Sequence, residues 1–346
     1  MESLGSHAFE NFNALESVTL PSTLKTVGSD AFYSCDALRE INFPAGLESL
    51  GEDALRYCTS PVSADMSKCT ALTLESGVFD NCSSLVSAKL PPNADTVTYG
   101  CFHYCYSLTD VEIPNSVTRI RDFAFAECTS LESVILPTSL KRLDDLSFHG
   151  CTSLVEVTVP YGTEQVESAF TSCANLQALY IPDTVTSMSW KVINESDNCV
   201  IYCGADSKAA EVCKNYSISY LTDSSVNSLI TVLYNGKRIS FHSYEQNPEI
   251  IDNRTLVPLR AIFEAMGTDV EWDQSTQTAT STRGGTTVKI TIGANEMYKN
   301  GSAVAVDVPA QIINNRTMVP VRVIAEAFGA DVQWNQNGRT VLITET

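Results

Sequence analysis

The sequence is short of positive charge: 22 Lys and Arg stand against 41 Asp and Glu among 346 residues, for a formal net charge of −19. The deficit lies mainly in residues 1–228, which hold 12 basic and 29 acidic residues, whereas residues 229–346 hold 10 and 12. An acidic surface repels phosphate backbones and anionic lipids. We therefore expect neither nucleic acid nor a membrane surface among the partners.

Long apolar runs are also absent. No stretch approaches the ~20 apolar residues of a membrane-spanning helix, so we expect no direct membrane insertion. The first residues contain no basic segment followed by an apolar run, so no signal peptide is visible in this chain. Localisation has to be inferred from the remaining patterns.

Histidine is scarce, with 4 residues in the whole chain. His7, His149 and His242 are isolated, and His103 lies between Cys101 and Cys105. No second ligand pair follows this triplet at a spacing typical of zinc, and the sequence contains no evident Cys–His or Ser–His–Asp set. We predict no metal, no cofactor and no catalytic residue.

A repeated unit fills the chain before about residue 200. Residues 124–145, AFAECTSLESVILPTSLKRLDD, show its features: an Ala-Phe pair, a cysteine, a leucine, an apolar alternation ending in Pro, and a second apolar pair. Successive units are 22–24 residues apart, as measured on Phe9, Phe32, Leu55, Phe79, Phe102, Phe125, Phe148 and Phe170. This period is typical of a solenoid, in which each repeat is stabilised by stacking on its neighbours. Because no polar cap precedes the first unit, we expect a fragment of a longer protein or an export-trimmed chain.

Seven of the eight units place a cysteine at the same position. These are Cys35, Cys58, Cys82, Cys105, Cys128, Cys151 and Cys173. Side chains in one column of a stack point inward in parallel, so we predict buried free thiols rather than disulfides. Cys199, Cys203 and Cys213 follow the last repeat and leave two alternatives open, one disulfide near the end of the stack or three free thiols.

The segments Leu131–Leu136 and Leu154–Val159 fit the pattern L-x-x-L-x-L and predict one short strand per repeat. The order Cys-x-x-Leu, x-x-Ile-x-Ile-Pro, Ser-Val-x-x-Ile and Ala-Phe resembles the BspA-like leucine-rich repeats of bacterial surface proteins over about residues 4–220. The resemblance implies a leucine-rich repeat solenoid of about eight repeats, built from β-strands and irregular or short helical turns. We assign it residues 1–221, with a distorted coil near residues 61–78. A C-terminal cap starts at about residue 199, where Asp206 or Ser207 would begin a short helix.

Alternation along each strand predicts a column of outward-facing side chains on one face of the solenoid. Eight strands at ~4.8 Å give a ribbon of roughly 40 Å, which could hold a protein or a glycan chain. The predicted binding residues are Asn42, Asp65, Lys89, Asp110, Glu112, Ile135, Glu156, Thr158 and Tyr180. The alternative is that these columns only solvate a sheet.

A polar segment, residues 222–228, predicts a linker to a second domain over residues 229–346. Residues 253–273 and 315–335 match at 13 of 21 positions, so this domain is an internal duplication with halves of about 229–293 and 294–346. In each half Val-Pro ends an extended run and starts a helix, and Gly267 or Gly329 ends that helix. With Asn-Gly turns at Asn235 and Asn300, the pattern predicts a small α+β domain.

The second domain resembles the copper amine oxidase N-terminal-like domain, a non-catalytic, stalk-like module of secreted bacterial proteins. Copper is not predicted, because oxidase-type copper centres need clustered imidazoles and this domain holds His242 alone. Trp272 and Trp334 are either core residues or platforms for stacking on glycan rings. The pairs Arg260–Glu264 and Arg322–Glu326 have the spacing of helix-surface ion pairs.

The resemblances together imply a non-enzymatic binding or adhesion protein, extracellular or at a bacterial cell surface. Its repeat face would recognise a host or bacterial surface protein, matrix or a glycan. Two alternatives remain: the chain is the targeting portion of a larger secreted enzyme, or it is a structural spacer.

Overall fold

The computed structural model describes the whole chain except Ser228, Gly236, Ser240, His242–Glu245, Gln336–Gly338 and Thr346. The predicted isolated His242 therefore lies outside the described residues. The chain divides into two compact units, Met1–Asn227 and Ser228–Thr346. The predicted linker is structured up to Asn227: Thr222 ends a strand, and Ser224–Asn227 form a 3₁₀ helix in which Val226 is buried.

The first unit is a solenoid of short parallel strands, as predicted. Most coils contribute two strands rather than the single strand expected, so the prediction of one strand per repeat is wrong. The strands are β1 (Ser3–Leu4), β2 (Ser17–Val18), β3 (Thr26–Val27), β4 (Glu40–Ile41), β5 (Ser49–Leu50), β6 (Ser63–Asp65), β7 (Thr73–Leu74), β8 (Ser87–Lys89), β9 (Thr96–Val97), β10 (Asp110–Glu112), β11 (Arg119–Ile120), β12 (Arg142–Leu143), β13 (Glu156–Thr158), β14 (Gln165–Val166), β15 (Ala178–Ile181), β16 (Ser187–Met188), β17 (Val200–Cys203) and β18 (Tyr220–Thr222).

Except in the distorted coil, where the turn before β7 starts at Met66, the second strand follows a turn that starts at the proline of the repeat. The amide of Leu24 donates to the carbonyl of Pro21, and that of Leu140 to Pro137, the i to i+3 bond of a β-turn. After the turn the chain runs parallel to the same segment of the next coil, so Arg119–Ile120 pairs with Arg142–Leu143. Most coils therefore place two strands in two separate ladders, while among the described residues the coil that contains Ile135 contributes only its second strand, β12.

These ladders are interrupted around the coil predicted to be distorted. The first-strand ladder β2–β4 ends before this coil, and the ladder β6–β8–β10 begins within it. The second-strand ladder β1–β3–β5–β7 ends within it, and the next one begins at β9. The irregular spacing of residues 61–78 thus breaks the register of both ladders, which confirms the predicted distortion.

Stacked phenylalanines form the centre of the solenoid. Adjacent rings lie 5.1–5.4 Å apart at angles of 14° or less, in the pairs Phe9–Phe32, Phe79–Phe102, Phe102–Phe125, Phe125–Phe148 and Phe148–Phe170. The stack is interrupted at Leu55. There Phe43 packs edge-on against Phe79 with 6.2 Å between ring centroids, and contributes an aromatic ring to this part of the core.

The cysteine column is a ladder of buried thiols, as predicted. Each Sγ donates a hydrogen bond of 3.0–3.2 Å to a backbone carbonyl of the preceding coil, namely that of Phe9, Phe32, Leu55, Phe79, Phe102, Phe125 or Phe148. In the last coil Ser196 takes this position, and its Oγ donates to the carbonyl of Phe170 at 2.9 Å. From Cys35 to Ser196 the column therefore consists of small side chains that donate a hydrogen bond.

A helix, α1 (Lys208–Tyr216), closes the C-terminal end of the solenoid. Ser207 is its N-cap, as one of the two predicted positions, and its Oγ accepts a hydrogen bond from the Ala210 amide at 3.1 Å. Tyr216 of α1 stacks on Trp190 of the last coil with 5.4 Å between ring centroids. Beyond α1, β18 pairs in parallel with β17 and extends the first-strand ladder.

The second unit is an α+β domain of three small sheets and two helices among its described residues. In chain order its elements are β19 (Thr231–Tyr234), β20 (Lys237–Arg238), β21 (Glu249–Ile251), β22 (Arg254–Pro258), α2 (Leu259–Ala265), β23 (Glu271–Asp273), β24 (Thr278–Arg283), β25 (Thr286–Thr291), β26 (Glu296–Lys299), β27 (Ser302–Ala305), β28 (Gln311–Ile313), β29 (Arg316–Pro320), α3 (Val321–Ala327), β30 (Ala330–Asn335) and β31 (Thr340–Glu345). The sheets have the orders β20-β19-β31-β30, β21-β22-β29-β28 and β23-β24-β25-β26-β27. The predicted helix starts at Pro258 and Pro320 are confirmed, and Gly267 and Gly329 follow the helices with positive φ.

The two halves of the duplication meet in the sheet β21-β22-β29-β28. Leu256 pairs with Pro320, Val257 with Val319 and Pro258 with Met318, all antiparallel. Leu256 and Met318 are equivalent positions in the two halves, and so are Pro258 and Pro320. Each therefore pairs with the residue equivalent to its counterpart's partner, on either side of the central Val257–Val319 pair. This register relates the halves by an approximate two-fold axis, whereas successive coils of the solenoid are related by translation.

Candidate binding surface

Four predicted binding residues meet on three neighbouring first strands of the solenoid. In the ladder β6–β8–β10, Asp65 pairs with Lys89 and Lys89 with Glu112, while Ser63, Ser87 and Asp110 form the adjacent row. Asp65, Asp110 and Glu112 are exposed and Lys89 is half-buried. We call Asp65, Lys89, Asp110 and Glu112 the acidic patch.

Three of the four charges of the acidic patch are held in place by neighbouring groups. The Lys89 ammonium pairs with Glu112, and this hydrogen bond and charge raise the pKa of Lys89. Asp65 accepts hydrogen bonds from the amide and hydroxyl of Ser67, at 3.0 and 2.6 Å, which lower the pKa of its carboxyl. The patch combines three acidic side chains with one lysine, a net negative surface.

Asn42, also predicted to bind a partner, uses its side chain within the solenoid. Its Oδ1 accepts from the Leu20 amide at 2.6 Å and its Nδ2 donates to the Leu20 carbonyl at 3.0 Å. The amide thus completes the hydrogen bonding between two coils where the ladder β2–β4 ends. Asn42 is exposed, but its hydrogen-bonding groups already have partners.

The remaining predicted residues of this column lie further along the solenoid. Ile135 is half-buried in a segment that forms no strand, and Glu156 and Thr158 are half-buried in β13. Tyr180, predicted to face outward, is only 6% exposed, and its ring lies 4.8 Å from that of Tyr202. All four residues of β15 are buried, so Tyr180 is not a solvent-facing contact.

Two charged clusters were not predicted from the sequence. In one, the carboxylate of Asp144, which is 1% exposed, bridges Arg119 and Arg142 on the second strands. In the other, Arg56 lies 3.0 Å from both Asp53 and Asp80. The signal available was spacing: Arg119 and Arg142 are one repeat apart, so they lie side by side in the stack.

The second cluster continues to His103, whose Nδ1 lies 3.6 Å from the Asp80 carboxylate. Burial raises the pKa of Asp80 to about 6. Burial, and next the nearby charge of Arg56, lowers the pKa of His103 to about 4. Because the lowered pKa leaves His103 uncharged at neutral pH, its contact with Asp80 is a polar contact, whereas Arg56 forms the ion pair with Asp80.

All twelve cysteines are buried free thiols, so of the two alternatives for Cys199, Cys203 and Cys213 the structure has three free thiols. Burial raises the pKa of Cys101, Cys199 and Cys213 to about 12. Buried thiols with such a raised pKa are unreactive at neutral pH.

Within the described part of the chain, no group of three or more His, Cys, Asp or Glu side chains is arranged to hold a metal ion.

The second unit contains a groove of about 870 Å³. Its walls come from the β21–β22 hairpin, residues 305–307, the start of α3 and the edge of β30. Trp334 and Arg322 line it, whereas Trp272 lies on β23, where it is 39% exposed and its Nε1 donates to Gln274 at 3.0 Å.

Among the described residues, neither the Arg260–Glu264 nor the Arg322–Glu326 side-chain pair comes within the 4.0 Å of an ion pair, so that prediction is wrong.

No helix formed by the described residues is long and apolar enough to cross a bilayer.

Comparison with curated proteins finds no match. Among solved structures, the chain is similar to a leucine-rich cell surface protein of Faecalibacterium prausnitzii at 25% identity and a TM-score of 0.44, over 58% of this chain and 64% of that one. A leucine-rich repeat protein of Bacteroides ovatus is 20% identical, with a TM-score of 0.46 over 68% and 70% of the two chains. The chain thus spans less than two thirds of the Faecalibacterium protein.

Two family descriptions match the two units separately. The copper amine oxidase N-terminal domain matches residues 233–343 of the second unit. The BspA type leucine rich repeat region matches residues 2–122 and 95–201 of the first. Because these two repeat ranges cover more than half of the sequence, the chain belongs to the BspA-type leucine-rich repeat family.

Proposed function

We propose that this chain is a non-enzymatic binding protein displayed outside a bacterial cell, and that the acidic patch holds its partner. The observation that carries the proposal is the register of β6, β8 and β10, which brings Asp65, Lys89, Asp110 and Glu112 together on one exposed face. Strands ~4.8 Å apart space these charges regularly along the solenoid. A partner can therefore contact several coils at once.

The chemistry of the patch favours a protein segment that carries Lys or Arg. Three carboxylates and one ammonium attract cationic side chains, and Ser63 and Ser87 add hydroxyl groups between them. Two of the carboxylates, those of Asp65 and Glu112, are also fixed by Ser67 and Lys89, so less side-chain entropy is lost when a partner binds. Such a face recognises a partner by charge and shape, which is the basis for proposing binding rather than catalysis.

Display outside the cell is inferred from the family to which the repeats belong. The match of the second unit to the copper amine oxidase N-terminal domain adds a small domain that can hold the solenoid away from its attachment. Both inferences are part of the proposal and predict that the chain is accessible to antibody on intact cells.

The test uses a fluorescent nona-arginine peptide as the probe, with the full chain at 0.15 M salt. The face variant Asp65→Asn/Asp110→Asn/Glu112→Gln should weaken binding at least tenfold. The control variant Glu52→Gln/Glu75→Gln/Asp95→Asn removes three exposed charges near the second strands of neighbouring coils and should change binding less than twofold.

Equal weakening by both variants would show that the probe senses only net charge, and would overturn the acidic patch as a site. No saturable binding of the probe or of Lys-rich peptides would favour the alternative of a structural spacer. Circular dichroism of each variant checks that the coils remain folded.

A further inference from the structure

We propose that the groove of the second unit binds an acidic saccharide, with the sugar ring against Trp334 and the carboxylate on Arg322. This site is independent of the acidic patch of the solenoid. It rests on the shape, lining and charge of the groove and on the difference between the two halves of the duplication.

The groove has the size and lining of a small-molecule site. Its volume of about 870 Å³ falls in the range of about 300–1,000 Å³ typical of ligand pockets. Its apolar lining includes Val306, Val321, Val332 and Val341, each 6% exposed or less. Because these side chains are packed into the core of the unit, they form a rigid floor.

The charges at the groove favour an anion. Arg254 and Asp307 both line it and form an ion pair with each other. Arg322 is exposed, and within the described part of the chain no carboxylate forms an ion pair with it. The lining therefore carries a net positive charge in a chain whose net charge is −19. A guanidinium binds a carboxylate or a phosphate through two parallel hydrogen bonds, and the carboxylate of the proposed saccharide is an anion of this kind.

The remaining polar groups favour a sugar over a peptide or a fatty acid. Asn253, Thr255 and Gln333 line the groove and can both donate and accept hydrogen bonds. A pyranose presents hydroxyl groups to such side chains at its edge and an apolar C–H face to an aromatic ring. Trp334 supplies that ring in the same groove. A uronic or sialic acid combines all three features with a carboxylate.

The duplication supplies matched control residues 62 positions earlier. Arg260 of α2 corresponds to Arg322, and Trp272 of β23 corresponds to Trp334. Arg260 is exposed and Trp272 is 39% exposed, but neither lines the groove. The same two residue types therefore occur twice in this unit, once at the groove and once away from it.

The experiment titrates the full chain with three oligosaccharide probes, tri-galacturonate, a glucuronate oligomer and a sialyl-lactose, by isothermal calorimetry. At least one should bind saturably, and the corresponding neutral sugar should bind at least tenfold more weakly. Arg322→Gln should weaken binding at least tenfold, and Arg260→Gln less than twofold. Trp334→Ala should abolish binding, while Trp334→Tyr keeps an aromatic face and a measurable affinity; Trp272→Ala should have no effect.

Three results would overturn the proposal: no saturable binding of any probe at 5 mM, equal losses in Arg322→Gln and Arg260→Gln, or tighter binding of a Glu-containing tripeptide than of every saccharide. The last result would assign the groove to peptides. The face variant Asp65→Asn/Asp110→Asn/Glu112→Gln serves as a further control. It should leave saccharide binding unchanged, so failure of the groove proposal and failure of the acidic patch are distinguishable.

Discussion

The solenoid and the second unit both arise from repeated sequence, but they repeat it by different operations. In the solenoid, translation places each coil on a copy of itself, so Cys58, Cys105 and Cys151 all donate to the carbonyl of the preceding coil. In the second unit, an approximate two-fold axis passes between the halves at Val257 and Val319. At this axis equivalent residues meet equivalent neighbours, but farther from it they do not: β24 pairs with β25, whereas the corresponding β31 pairs with β19.

The difference shows in how each unit fills its core. Solenoid columns repeat one solution, a phenylalanine stacked on a phenylalanine. In the second unit the large residues alternate between halves: Phe263 corresponds to Ala325, and Met266 to Phe328, and the two phenylalanines meet edge-on at 5.9 Å. The solenoid columns therefore keep one role per position, whereas the halves of the second unit have diverged away from their axis, so one copy can acquire a new role, as proposed for Arg322 and Trp334.

The largest effect is expected from breaking the phenylalanine stack in its middle. Phe125 is fully buried between Phe102 and Phe148, at centroid distances of 5.4 and 5.1 Å. Phe125→Ala should lower the free energy of unfolding of the solenoid by about 3–5 kcal/mol, because it removes buried area and leaves a cavity. Phe125→Leu, which copies the residue at position 55, should lose less than half as much. Urea denaturation measures both, and equal losses would contradict a uniform stack.

A second prediction concerns Asp80 and His103, two different titratable side chains at the same position of adjacent coils. In the folded chain the pKa of Asp80 is raised from 3.8 to about 6, so its contribution to stability is present below about pH 4 and is lost as the pH rises through about 6. The pKa of His103 is lowered from 6.5 to about 4, so its contribution is present above about pH 6.5 and is lost as the pH falls toward 4. The two effects oppose each other between pH 4 and 6.

Asp80→Asn should expose the histidine effect alone. The variant should lose up to about 3 kcal/mol of stability between pH 6.5 and 4, whereas the wild-type chain should change little. His103→Asn should show the mirror image, with stability falling as the pH rises from 4 to 6. Urea midpoints at pH 4.0, 5.0, 6.0 and 7.0 measure both slopes. Parallel profiles for the wild type and both variants would disprove the opposition.

The gap in the stack at Leu55 allows a compensation test. Leu55→Phe would restore the regular column, but Phe43 already packs against Phe79 in this region. The single variant should therefore be destabilised by about 1–3 kcal/mol through overcrowding. Adding Phe43→Leu, an aliphatic residue like Leu20 and Leu90 in the same column, should recover most of that loss. Strictly additive effects in this double-mutant cycle would show that Phe43 does not fill the gap.

Much of the solenoid could be predicted because its columns repeat. A period of 22–24 residues aligned Phe125 with Phe148 and Cys128 with Cys151, and the structure stacks the first pair and gives the second the same kind of partner. The helix boundaries of the second unit were also predictable, since Pro258 and Gly267 act through local backbone geometry. These features depend on the chain itself or on an identical neighbour.

Other features depend on contacts that the pattern does not encode. The second strands contain only two residues, such as Arg142–Leu143, so they show no alternation, and only pairing with the next coil defines them. Alternation placed Asn42 and Tyr180 on the outer face, but the amide of Asn42 bonds to Leu20 and the ring of Tyr180 is buried. Within the second unit, sequence identity made Trp272 and Trp334 look equivalent, and only tertiary structure separates them.

The cysteine column offers the most delicate test of translational equivalence. The Cys128 thiol donates to the Phe102 carbonyl at 3.2 Å, and the Ser196 hydroxyl makes the corresponding bond to Phe170 at 2.9 Å. Cys128→Ala removes the donor and should cost about 1–2 kcal/mol, since a buried carbonyl loses a partner and a small void remains. Cys128→Ser keeps a donor and should cost clearly less, and Ser196→Cys should be tolerated to a similar extent. If Cys128→Ser were as damaging as Cys128→Ala, the thiol would be selected for its apolar volume, and the hydrogen bond would be incidental to it.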